Sequence, residues 1–169
     1  MQKENWTSFT KKIYVKGRLD DLYGLWTTSK GICSWFLSHA IYTRNSGCIE
    51  EDAFVQVGDQ FEWKWHNWDG KETGEIVEAN GKDRLAFTFA DGLVSIQLKE
   101  EKDRILVCLE QNNIAIDEKS KMEIYNGCSN GWSFWLTNLK AYVEHGILLN
   151  ETEIDLTNID MSSFQFVNM

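Results

Sequence analysis

The amino-acid sequence predicts an α+β fold: a curved antiparallel sheet wrapped on one long C-terminal helix, with two short helices after the first strand. Two observations carry this reading. Ile124, Cys128, Trp132, Trp135, Leu139 and Tyr142 recur three or four residues apart, with Val143 beside the last, which is the spacing of one buried helix stripe. Upstream, stretches of alternating aromatic and polar residues are separated by Asp69-Gly70, Asn80-Gly81 and Asp91-Gly92, dipeptides that favour tight hairpin turns. A sheet with one aromatic face needs a long apolar element to close over it, and this helix is the candidate.

From the N-terminus, Phe9–Val15 reads as the first strand. Asp20 offers an N-cap for a short helix with Leu22, Leu25 and Trp26 on one face. Ser29 offers a cap for a second, which presents Ile32, Trp35 and Phe36. Residues 39–42 are a strand candidate, and 44–54, polar and acidic, read as a loop. After Gly58-Asp59 comes the clearest strand, 60–67. There Phe61, Trp63 and Trp65 point one way, and Gln60, Glu62, Lys64 and His66 the other. Residues 72–79 return. Leu85, Phe87 and Phe89 then alternate with polar or small residues, as do Val94, Ile96 and Leu98. Residues 104–111 are apolar on both sides, with Ile105, Val107 and Leu109 read as inward.

Ser120-x-x-Glu123 has the form of a capping box opening the last helix, and Gly146 suits its C-terminal cap. From 120 to 145, at 1.5 Å per residue, such a helix spans roughly 39 Å. Gly127 and Gly131, one turn apart, are expected at close backbone approach or at a point of local weakness.

Length fits a single domain, read as residues 1–149, followed by an acidic tail at 150–169, docked or mobile. The net charge of -9 argues against nucleic acid and anionic membrane surfaces, where basic patches supply the affinity. No apolar run approaches membrane-spanning length, and residues 1–10 are too polar for a secretory leader, so the expected location is the cytoplasm. The four cysteines lack a C-x-x-C spacing and read as free thiols in a reducing compartment.

Three motifs together carry a family resemblance: Trp26 with Trp35-Phe36; Gly58-Asp59-Gln60-Phe61-Glu62-Trp63; and Gly131-Trp132 leading into Asn138-Leu139-Lys140-Ala141-Tyr142-Val143-Glu144-His145-Gly146. With the order of elements, these resemble the helix-grip fold of the START-like (SRPBCC) superfamily, which includes birch-pollen-allergen proteins and polyketide cyclases. More narrowly, they resemble the family named for the activator of the heat-shock chaperone ATPase, in its bacterial stand-alone form. The resemblance covers about residues 11–149 and implies the fold and an internal cavity. The eukaryotic proteins behind the family name touch the chaperone through a further domain, for which this chain has no room.

On that reading a hydrophobic cavity is lined by Trp26, Trp35, Phe36, Phe61, Trp63, Trp65, Phe87, Phe89, Trp132, Trp135, Leu139 and Tyr142. The same rings would also serve as an ordinary core. Buried indoles want hydrogen-bond partners, so polar atoms are expected inside, with Asn67, Gln111 and Tyr142 as candidates. No catalytic set, metal site or cofactor is expected. His39, His66 and His145 have no metal-ligand spacing, and no carboxylate is read as buried beside a second titratable group. The function expected is binding of a small apolar or amphipathic ligand. A chaperone-associated or other protein-interaction module is the alternative, and a cyclase-type enzyme the third reading. Phe164, Phe166 and Val167 are expected to dock on this domain or on a second copy, which leaves monomer and homodimer both open.

Overall fold

The computed structural model describes residues 5–161 and 163–169; residues 1–4 of the predicted domain, which also belong to the polar N-terminal stretch, lie outside the described residues. Strands β1 (Phe9–Val15), β2 (His39–Arg44), β3 (Gly47–Cys48), β4 (Gln60–Lys64), β5 (Lys71–Ala79), β6 (Arg84–Phe89), β7 (Gly92–Glu101) and β8 (Arg104–Asn112) form one antiparallel sheet. Its order is β1-β8-β7-β6-β5-β4-β2-β3, so the first strand closes on the last and the hairpins from β4 to β8 run as a meander. Helices α1 (Leu19–Thr27) and α2 (Ser29–Trp35) fill the link between β1 and β2. A π-helical stretch, Ser120–Asn126, runs directly into α3, Gly127–His145. This is the helix-grip fold.

The strand faces follow the alternation of the sequence. Phe61 and Trp63, Leu85 and Phe87, Val94, Ile96 and Leu98, and Ile105, Val107 and Leu109 are all buried beneath the helices. Two turns use their residues differently from the expected pattern. After β6 the turn residues with positive φ are Ala90 (47°) and Asp91 (59°), and Gly92 opens β7. There a Cβ would lie 2.7 Å from the Asn112 carbonyl oxygen, so glycine is required by close approach of the neighbouring strand. At Asn80-Gly81, Gly81 has φ 73° and the Asn80 side-chain oxygen accepts from the backbone N–H groups of Lys82, Asp83 and Arg84.

Several boundaries move for identifiable reasons. Helix α1 is capped at Arg18, which leaves Asp20 and Asp21 inside the first turn, where they complement the helix dipole. Thr28, rather than Ser29, caps α2: its hydroxyl accepts the Gly31 N–H at 2.9 Å. Ser29 instead donates its hydroxyl to the Ala40 carbonyl, joining α2 to β2. The stretch read as a loop after residue 44 contains the short strand β3. Strand β4 ends at Lys64 because Ser38 takes the Lys64 and Trp65 carbonyls at 3.0 and 2.7 Å, turning the chain out of the ladder. The capping box at Ser120 and Glu123 does not form. Asp117 does that work three residues earlier, accepting the Ser120 N–H and hydroxyl at 3.0 and 2.6 Å. At the other end Gly146 has φ 67° and donates to Tyr142, closing the helix as expected.

Helix α3 is fixed at both flanks. Lys140 donates to the Tyr14 carbonyl at 2.7 Å, and Glu144 accepts the Lys16 N–H at 2.8 Å, which pins its last turns to the end of β1. On the opposite side the buried Asn138 donates to the Trp35 carbonyl and to Asn150, and accepts the Leu149 N–H at 2.7 Å. One amide therefore joins α3, the end of α2 and the start of the tail. The tail then lies on the domain: Leu156 is buried, its N–H reaches the Asn67 carbonyl at 2.8 Å, and the Asn67 amide donates to Ile154. Phe164, Phe166 and Val167 nevertheless remain exposed.

Ahead of β4, the buried Asp59 accepts two hydrogen bonds from Arg44, at 2.8 and 2.7 Å, and a third from the Gln56 N–H. Burial pushes the Asp59 carboxyl up, but the Arg44 and Gln56 bonds outweigh it and hold it below the usual carboxylate range. The Gly58-Asp59 motif is thus a clamp that ties the chain entering β4 to the end of β2.

Candidate functional site

The twelve residues expected to line an interior converge on one region. Trp26 of α1, Trp35 and Phe36 at the end of α2, Phe61 and Trp63 of β4, Phe87 of β6, and Trp132, Trp135 and Leu139 of α3 are buried. Phe89, Trp65 and Tyr142 are half-buried at its margin. Trp65, beyond the end of β4, stacks on Trp68 with centroids 5.8 Å apart.

The rings touch one another in a continuous row. Trp135 lies 3.9 Å from Phe36, 4.7 Å from Trp132, 5.7 Å from Trp35, 6.1 Å from Trp63 and 6.4 Å from Trp26, centroid to centroid. Trp63 stacks on Phe61 at 4.4 Å, and Trp132 meets Phe89 at 5.1 Å. Tilted and edge-to-face pairs dominate, as the quadrupoles of aromatic rings favour.

Polar groups punctuate this row. The Trp35 indole donates to the Leu25 carbonyl at 3.0 Å, and the Trp63 indole to the Tyr42 hydroxyl at 3.2 Å. Burial drives the Tyr42 phenol far above its ordinary range, so it remains a neutral hydroxyl. The Trp132 indole donates to the Gln111 side-chain oxygen at 2.8 Å, which fixes the orientation of that amide. The Trp26 indole N–H and the Asn112 side-chain oxygen are buried without a hydrogen-bond partner among the described residues, and the buried Gln111 nitrogen has only the weakly accepting Cys128 sulfur beside it. Beside Gln111 lies Cys128, whose thiol burial pushes up to about 11 while the Gln111 amide pulls the other way. A thiol in that state is protonated at neutral pH and is a poor nucleophile.

Of the polar candidates from the sequence, Gln111 is inside, Asn67 is spent on holding the tail, and Tyr142 stands at the margin. Tyr42, Asn112 and Asn138 were not expected there. Extending the 39–42 strand candidate's alternation, Ala40 in and Tyr42 in, would have found the first. Glu62 faces outward as expected, bonded to Lys71 at 2.7 Å. Among the described residues, no group of three His, Cys, Asp or Glu side chains could hold a metal ion.

Fold and site together define a helix-grip domain of the SRPBCC type, with an aromatic interior under its long helix. The chain belongs to the family described as Activator of Hsp90 ATPase homolog 1-like protein, whose pattern matches residues 17–144. No protein of curated function matches it by sequence. Similar solved structures include a protein from Staphylococcus saprophyticus, 18% identical, with a TM-score of 0.67 over 83% of this chain and 94% of the other. The Aha1 dimer from Colwellia psychrerythraea is 16% identical, with a TM-score of 0.65 over 82% and 97%. A conserved protein from Enterococcus faecalis is 18% identical, with a TM-score of 0.64 over 90% and 80%. At these identities the likeness is one of fold. Among the described residues no helix is long and apolar enough to cross a membrane.

Proposed function

We propose that this protein binds a small apolar or amphipathic molecule in the aromatic interior between α3 and the sheet, lined by the twelve residues named above. The observation that carries this reading is the row Gln111–Trp132–Trp135–Trp26, which ends at Trp26 on a buried indole donor with no protein partner and at Gln111 on a buried amide whose N–H has only the weakly accepting Cys128 sulfur beside it. Leaving a buried donor unmade costs about 1–3 kcal/mol, which a ligand oxygen at either end would recover. The ligand is therefore an apolar skeleton with carbonyl or hydroxyl oxygens at its ends. Access lies under Ser120–Asn126, the part of the closing helix none of whose residues is buried, since a segment with few buried contacts opens at low cost.

The test is native mass spectrometry after incubation with a mixture of lipids and aromatic polyketones. A retained ligand bearing oxygen acceptors is expected. Gln111→Leu should weaken it at least tenfold while the unfolding transition stays cooperative. If the wild type retains nothing, or the variant retains the ligand equally, the interior is only a core.

A further inference from the structure

On the solvent face of α3 the described residues enclose a groove of about 850 Å³. Its floor is the helix surface at Gly127 and Gly131, where an added Cβ would meet nothing within 4 Å. Trp68 and Phe134 line it, as do the tail residues Met161, Phe164, Gln165, Phe166, Val167 and Met169.

Three features set this groove apart from ordinary surface. Glycine is the poorest helix former after proline, and two of them one turn apart weaken α3. Neither is used for close packing, so of the two alternatives expected from the sequence the close backbone approach is not found, and what they provide is open depth. Next, among the described residues no charged side chain lines the groove, although charged residues make up 25% of the chain. Finally, the tail wall is built rather than loose. The Glu151 N–H bonds to the Asn168 carbonyl at 2.9 Å, and Leu156 anchors the segment between them. Yet Phe164 and Phe166, edge to face at 5.5 Å, stay 47% and 41% exposed at the groove.

The polar lining is neutral and points one way. The Ser133 and Thr137 hydroxyls donate back to the Ser129 and Ser133 carbonyls at 2.9 and 2.8 Å, which leaves their lone pairs free to accept. The volume falls within the range of about 300–1,000 Å³ typical of small-molecule sites. An anionic ligand would find no basic side chain there, and a net charge of -9 opposes it.

We propose that this groove is a second binding site, for an uncharged amphipathic small molecule. Its apolar body lies against Phe134, Met161, Phe164 and Phe166, and its hydroxyl or amide groups reach Asn130 and Thr137. Met161 gives that wall an adaptable, polarizable surface. The site shares none of the twelve interior residues, although its Trp68 and Phe134 back onto Trp65 and Phe36, and it does not depend on a ligand inside.

The full-length chain is titrated with Nile red, a neutral solvatochromic dye, and in parallel with anionic anilinonaphthalene sulfonate. Saturable one-to-one binding of Nile red is expected, at least tenfold tighter than that of the anion. Gly131→Leu places its Cβ where nothing lies within 4 Å and fills the floor with the rest of its side chain, so it should raise the Nile red Kd at least tenfold with the unfolding midpoint unchanged or higher. Gln111→Leu should leave that Kd as it is. Wild-type affinity in Gly131→Leu overturns the proposal, as does loss of the dye in Gln111→Leu alone, which would put it in the interior. Light scattering that finds a dimer broken by Gly131→Leu overturns it too, assigning the groove to a second copy.

Discussion

Replacing glycine by alanine should have opposite consequences in two helices of this protein. At Gly131 an added Cβ finds open space, and the exchange removes the backbone entropy penalty of a helical glycine, about 1 kcal/mol. For a domain of this size that raises Tm by roughly 2–4 °C. At Gly31 the same methyl would lie 2.2 Å from the Gly24 carbonyl oxygen and 2.8 Å from the Leu25 Cα, both backbone atoms of α1. Neither can yield without moving one helix off the other, and overpacking of this kind costs about 1–3 kcal/mol or more. With contacts this short the cost lies at the upper end of that range, so after the propensity gain is absorbed the expected fall in Tm is roughly 4–8 °C. Thermal unfolding followed by far-UV circular dichroism on the two variants, at equal concentration, gives both signs directly. Gly131→Ala that destabilises, or Gly31→Ala that is neutral, would refute the packing described for α3 and for the α1–α2 pair.

Asp59→Asn should lose about 2–3 kcal/mol at neutral pH, because the Arg44 guanidinium keeps its position but loses its carboxylate. The native pKa of Asp59 lies below the ordinary value, so its contribution is complete above about pH 4 and disappears as pH falls through the lower, native value. The stability gap between wild type and variant, from urea titrations, should therefore shrink in that acid window; a gap that stays constant would contradict it. Asn138→Ala removes bonds to Trp35 and Leu149 at a fully buried position and should cost about 3 kcal/mol, with faster hydrogen exchange at the Leu149 amide. Alkylation mapped by peptide mass spectrometry should label the exposed Cys48 first, while Cys128, held protonated, stays unmodified at pH 8 until the protein unfolds.

The parts legible in the sequence were those set by periodicity. The α3 stripe and the alternation in β4, β6 and β7 depend only on which side of an element faces the core, and a 2.0 or 3.6 repeat records that directly. Trp65 illustrates the limit: its place in the alternation with Phe61 and Trp63 is perfect, but Ser38, distant in sequence, claims the carbonyls that would have continued the strand. Asp117 shows another. A capping residue is chosen by where the chain bends, and Ser120 with Glu123 met the pattern without standing at the bend. Asn138 lay inside the recognised helical motif, yet its partners are 103 and 12 residues away, which no local pattern encodes. The site was legible as a set of rings and illegible as a shape, because the fit of one ring against the next depends on rotamers fixed only by the assembled core.

Five indoles, those of Trp26, Trp35, Trp63, Trp132 and Trp135, come from both short helices, the sheet and α3, and Trp135 lies within 6.4 Å of each of the other four. At such separations their electronic transitions couple, so the near-ultraviolet optical activity belongs to the cluster rather than to any single chromophore. The molecule thus carries an unlabelled optical gauge of its tertiary order: a signal that vanishes whenever the long helix lifts from the sheet, even while every strand and turn of backbone persists.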